Sequence, residues 1–137
     1  MTLSVLSLFT GAGGLDFGFE AAGFETACAV EYDKWACKTL RANRSWKVIE
    51  ADIHDVPSEK MGTADVLIGG PPCQPFSKSA YWALGDTKRL NDPRADTLSA
   101  FLRVLRDTKP RAFLLENVVG LTFKGKDEGF RLLESTA

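Results

Sequence analysis

The chain has 137 residues, of which 45% are hydrophobic and 26% charged, with a formal net charge of −1. This suffices for one packed domain of ordinary globular composition, and no apolar run approaches the roughly 20 residues of a membrane span, so no membrane role is expected. The balanced charge gives no sign of nucleic-acid binding, for which a basic patch is expected. The odd, widely spaced Cys28, Cys37 and Cys73 exclude a CxxC metal site.

Ser4 to Phe9 is a short apolar run and predicts a buried strand, followed by the glycine-rich turn Thr10-Gly11-Ala12-Gly13-Gly14. Leu15 to Ala22 has a helical pattern, and Gly23 is its stop signal. Glu25 to Val30 predicts a second strand, and Asp33 caps a helix running to about Asn43. Lys47 to Ala51 and Ala64 to Gly69 predict the third and fourth strands. A polar loop from Gly70 to about Asp92 follows. Asp96 to Asp107 is then a helix with Leu98, Phe101, Leu102 and Leu105 on one face. Ala112 to Leu115 predicts a fifth strand and Asp127 to Glu134 a last helix. Strict alternation of strand and helix predicts an α/β fold, a parallel sheet covered by helices. Reduced thiols and the absence of a basic secretory leader at Met1-Thr2-Leu3-Ser4 suit a cytoplasmic setting.

In such sheets ligands bind beyond the carboxyl ends of the strands. Gly11, Gly13 and Gly14 lie at the end of the first strand, where missing side chains allow close approach to the backbone. Glu31 ends the second strand, 18 residues after Gly13, where a carboxylate can accept both ribose hydroxyls. Asp52 ends the third, where it can meet an adenine amino group. A turn made only for tight packing is the plainer alternative for the glycines; the acids at matching strand ends weigh against it. Asp16 stands where a dinucleotide fingerprint carries its third glycine. An acid facing a pyrophosphate would be repelled. That argues against NAD or FAD and favours S-adenosylmethionine, which carries an ammonium and a sulfonium but no phosphate.

Cys73 lies in Gly69-Gly70-Pro71-Pro72-Cys73-Gln74-Pro75-Phe76-Ser77, directly after the fourth strand. Prolines on both sides restrict the loop, as suits a held nucleophile. A buried structural cysteine is the bland alternative. Glu116 ends the fifth strand in Phe113-Leu114-Leu115-Glu116-Asn117-Val118. An acid after an apolar strand is expected to be poorly solvated, with its pKa tending upward, and so able to act as a general acid. Strands four and five are expected to be neighbours, bringing thiol and acid to one crevice beside the nucleoside site.

In these motifs the chain resembles the N-terminal part of a DNA cytosine-5 methyltransferase of the bacterial restriction–modification type. Leu8-Phe9-Thr10-Gly11-Ala12-Gly13-Gly14 is similar to the family's cofactor motif, Glu31-Tyr32 to its ribose acid and adenine-packing aromatic, and Asp52-Ile53 to its third cofactor motif. Pro72-Cys73-Gln74 resembles the nucleophile motif, Glu116-Asn117-Val118 the Glu-Asn-Val motif, and Asp92-Pro93-Arg94 with Leu98 the segment before the intervening helix. The resemblance implies a Rossmann-like S-adenosylmethionine-dependent fold with helices on both sheet faces. It implies Cys73 and Glu116 as catalytic residues. Phe9, Gly11, Ala12, Gly13, Gly14, Glu31, Tyr32, Asp52, Ile53, Pro72 and Leu98 would hold the cofactor.

The implied substrate is a cytosine flipped out of duplex DNA, covered by the loop from Ser77 to Asp92 with Lys78, Lys88 and Arg89. Against the family pattern, residues 1–137 are expected to form a partial catalytic domain, stopping after the fifth strand and without a target-recognition domain. A complementing polypeptide is one expected partner. The rival readings are an RNA (tRNA) cytosine-5 methyltransferase, a catalytically silent cofactor-binding module, and a cysteine hydrolase using Cys73, His54 and Asn117.

Overall fold

The computed structural model describes residues 1–72 and 96–116, together with 131, 134 and 135. Cys73, the loop carrying Lys78, Lys88 and Arg89, the Asp92-Pro93-Arg94 segment and Asn117-Val118 therefore lie outside the described residues. So does most of the predicted last helix, of which Arg131 and Glu134 are helical, as is Ser135 just beyond it.

Five strands form one wholly parallel sheet: β1 (Ser4–Leu8), β2 (Glu25–Glu31), β3 (Lys47–Glu50), β4 (Val66–Gly69) and β5 (Ala112–Leu115), in the order β3-β2-β1-β4-β5. The helices between them are α1 (Gly14–Ala21), α2 (Lys34–Asn43), α3 (Ser58–Met61) and α4 (Asp96–Thr108). The α/β alternation expected from sequence is present, and β4 and β5 are neighbours as expected. Two elements were not anticipated: the 3-10 turn Ile53–Asp55 and the four-residue α3.

Side-chain alternation along the strands sorts the core into two layers. Leu6, Leu8, Cys28, Val30 and Leu67 share one buried cluster with Leu98, Phe101, Leu102 and Val104 of α4. Ser7 points to the other face, where its hydroxyl donates to Asp16 of α1. The two faces follow from the order of the sheet. Right-handed crossovers carry the chain outward through β1, β2 and β3, then back past β1 to β4 and β5, which puts α4 opposite α1 and α2.

The register aligns the carboxyl ends: Leu8 pairs with Val30 and Gly69, Glu31 with Glu50, and Gly69 with Leu115. Each predicted site segment thus leaves the sheet from the same edge. The reversal between β1 and β4 opens the crevice where ligands bind in this class of sheet.

Candidate active site

The turn after β1 is shaped by backbone that few residues tolerate. Phe9 has φ 53, Gly11 φ 59 and Gly13 φ 96. A left-handed phenylalanine is a genuine outlier, and such strain gathers at ligand sites. Gly13 has a second reason to be glycine: a Cβ there would lie 3.0 Å from Leu40 Cδ2. It is also the N-cap of α1, and its carbonyl accepts from the Phe17 N–H at 2.8 Å.

Glu31 holds this turn in place. The Gly11 N–H donates to Glu31 Oε2 at 2.8 Å, and the Asp33 N–H donates to Oε1 at 3.1 Å. Each carboxylate oxygen keeps acceptor capacity after these bonds, so the acid can still receive two hydroxyls. Beneath it, the Cys37 thiol donates to the Glu31 carbonyl at 3.3 Å. Asp33 caps α2 as expected, accepting from the Ala36 N–H at 2.8 Å.

A cleft of about 260 Å³ opens between the ends of β1, β2 and β3, lined by Phe9, Glu31, Tyr32, Asp52, Ile53, Pro72 and their neighbours. These six are all sequence-predicted cofactor residues. Tyr32 is 71% exposed at the cleft's rim. The glycine-turn residues Gly11, Ala12, Gly13 and Gly14 are not among the lining side chains; their part is the backbone geometry that seats Glu31 and Phe9.

Three expectations are corrected. Leu98 is only 2% exposed and packs in the core. One residue earlier, Thr97 is the α4 side chain that lines the cleft, because a helix turns about 100° per residue. Asp16 does not face a ligand in the cleft. It is 1% exposed and accepts hydrogen bonds from Ser7 Oγ at 3.0 Å and Thr26 Oγ1 at 3.4 Å. Burial raises its pKa above the usual carboxylate value. Buried and outside that cleft, its carboxylate is not placed to repel a pyrophosphate there. Glu116, expected to be poorly solvated, is exposed, because β5 is the edge strand of the described sheet.

Asp52 caps the 3-10 turn: its Oδ1 accepts from the His54 N–H at 2.9 Å and lies 2.7 Å from His54 Nδ1. The backbone bond is the main reason its pKa is lowered, with the His54 ring next. The turn is tied to α4 by Arg103, whose Nη2 donates to the carbonyls of Ile53 at 2.8 Å and Val56 at 3.2 Å. Arg103 Nη1 donates to Ser58 Oγ at 3.0 Å. Sequence reasoning missed Arg103; its only signal was a basic residue inside the apolar pattern of α4.

Glu116 is placed by a backbone bond, its N–H donating to the Gly69 carbonyl at 2.9 Å. It lines a second cavity of about 330 Å³ with Ser7, Phe9, Leu15, Asp16 and Gly70. Phe9 borders both cavities, so the acid's cavity adjoins the Glu31 cleft. The two described thiols are poor nucleophiles. Burial raises the Cys28 pKa, and burial with the nearby Glu50 carboxylate pushes Cys37 up to about 11. Among the described residues there is no cluster of side chains able to hold a metal and no helix long and apolar enough to cross a membrane.

The type II methyltransferase M.FnuDI of Fusobacterium nucleatum is 43% identical over 129 residues, which is 94% of this chain and 36% of the relative. M.AquIA of Picosynechococcus is 40% identical over 146 aligned positions, covering 100% of this chain and 57% of the relative. The chain thus spans between about a third and somewhat over half of these relatives. A solved prophage-encoded protein of Escherichia coli superposes with TM-score 0.76 at 30% identity, over 98% of this chain and 38% of that one. The Entamoeba histolytica methyltransferase EhMeth, at 22% identity over 99% of this chain and 43% of its own, shares the fold with TM-score 0.79. The profile of C-5 cytosine-specific DNA methylases matches residues 3–134, and the chain belongs to that family.

Proposed function

We propose that this chain supplies the cofactor cleft and nucleophile of an enzyme that methylates C5 of cytosine in duplex DNA. The observation that carries the reading is that Glu31 and Glu116 line two cavities sharing Phe9, at one sheet edge, in a chain matched to the family over residues 3–134. The cleft suits S-adenosylmethionine. Its described lining includes the carboxylates Glu31 and Asp52 and apolar Phe9, Ile53 and Pro72, with no lysine or arginine to meet a phosphate. Glu31 would take the ribose hydroxyls, and Tyr32 and Ile53 would hold the adenine. Bound there, S-adenosylmethionine supplies the methyl group that C5 accepts.

Cytosine C5 is a weak nucleophile, and C6 is out of reach inside a duplex, so the base must be flipped out. The Cys73 thiolate adds to C6, forming an S–C6 bond and pushing the ring electrons toward C5. Glu116 holds a proton at N3, which stabilises that charge. After C5 has been methylated, a base removes its proton, the S–C6 bond breaks, and the thiolate is restored. Cys28 and Cys37, buried and held protonated, leave Cys73 as the thiol for this work.

The test is transfer of labelled methyl to mixed-sequence duplex DNA by the natural protein that carries these residues. Transfer that disappears in Cys73→Ala supports the proposal. Transfer that persists in Cys73→Ala contradicts it.

A further inference from the structure

We propose that Gly70 is a positioning residue for Glu116: its missing side chain is the space in which the acid's carboxylate lies. The inference rests on the reading of Glu116 as the acid of the reaction. A Cβ built on Gly70 would lie 2.6 Å from Glu116 Oε2, and 3.7 Å from the Cβ and Cδ of that side chain. The first distance is well inside van der Waals contact, so the two groups cannot both occupy their places. Gly70 and Glu116 line the same cavity. The backbone of Glu116 is fixed there by its bond to the Gly69 carbonyl, so only the side chain can give way.

What makes Gly70 distinct is what it does not support. It is not among the glycines with positive φ, so its backbone conformation does not demand glycine. The colliding atom is the far end of a flexible side chain, which rotates away at little cost. An alanine at this position should therefore fold and merely expel the carboxylate. The adjacent Gly69 is the opposite case. Its Cβ would meet Phe101 Cε2 at 3.0 Å and the Leu8 carbonyl oxygen at 3.1 Å. Phe101 is fully buried and Leu8 lies in the central strand, so a side chain at Gly69 must disturb the core. Two consecutive glycines thus have separate tasks, the first in packing and the second in placing the acid.

The experiment compares Gly70→Ala, Gly69→Ala, Glu116→Ala and the double variant Gly70→Ala with Glu116→Ala, in methyl transfer and in thermal melting. Gly70→Ala should lower kcat by roughly 10- to 100-fold, as misplacing a catalytic group by about 1 Å does. Its KM for S-adenosylmethionine should stay within about twofold, since the Glu31 cleft is untouched. Its melting midpoint should stay within about 2 °C of the parent. Gly69→Ala should melt well below it. In the Glu116→Ala background, Gly70→Ala should cost nothing further in rate or in melting, because the group it displaces is gone. A Gly70→Ala variant with the parent's kcat overturns the inference, as does a loss that adds in full to that of Glu116→Ala. If Glu116→Ala itself keeps the parent's rate, the reading of Glu116 fails, and the inference with it. An impaired Glu116→Ala beside an unimpaired Gly70→Ala removes the inference alone.

Discussion

Glu31 holds the turn after β1 with the side chain proposed to hold the ligand, and a single-atom change tests both roles. Both of its oxygens accept backbone N–H groups, from Gly11 and Asp33. In Glu31→Gln one oxygen becomes an NH2 that must face a donor. At a site 9% exposed, such a mismatch costs about 1–3 kcal/mol. Glu31→Gln should lower the melting midpoint and weaken S-adenosylmethionine binding at least about tenfold, measured by calorimetry; unchanged affinity would show that the acid does not hold the ligand. Asp16 gives a prediction with a definite sign. Burial raises its pKa in the folded state, so the fold binds a proton that the unfolded chain releases above about pH 3.9. Stability is therefore lost as pH rises from that value toward the folded pKa, and the loss is constant beyond it. Asn resembles the neutral acid in shape and hydrogen bonding. The melting advantage of Asp16→Asn over the parent should grow with pH from about pH 4 and then level off. An advantage that does not change with pH would contradict this.

At the scale of elements, the short connections position the site as much as the strands do. Arg103 of α4 holds the carbonyls of Ile53 and Val56 and the hydroxyl of Ser58, and so fixes the turn that presents Asp52. Bonds from a charged donor contribute about 1.5–3 kcal/mol each. Arg103→Met should destabilise the protein by about 2 kcal/mol or more and weaken cofactor binding. Equal affinity with lowered stability would mean that the turn does not shape the cleft. This part was not legible in sequence. The strands, α1, α2 and α4 announce themselves by apolar runs, helical spacing and the Asp33 cap, and the motifs mark Glu31 and Asp52 at strand ends. Ile53–Asp55 and Ser58–Met61 span three and four residues, too few to show any period. Helical spacing put Leu98 on the buried face of α4, where it is found; its cofactor role came from the resemblance alone, and neither signal marks Thr97 as the α4 residue that reaches the cleft. The inward turn of Asp16 was hidden because its partners, Ser7 and Thr26, belong to two different strands.

Across the whole molecule, the parallel register brings the five strand ends to one edge, and the Glu31 cleft and the Glu116 cavity adjoin there. The same topology leaves β5 with a neighbour on one side only, among the described residues. Phe113 and Leu114 are 38% and 39% exposed and point to opposite faces of the strand. Phe113 stacks edge-on against Phe101 at 6.3 Å on the α4 side, which leaves Leu114 on the other. The central claim is that Cys73 adds to the target base. Its most direct measurement is mass spectrometry of the protein incubated with S-adenosylmethionine and duplex DNA containing 5-fluorocytosine, whose C5 has no proton to lose. A covalent protein–DNA adduct at Cys73, absent in Cys73→Ala, is expected. An adduct at another residue, or one that survives Cys73→Ala, would contradict it.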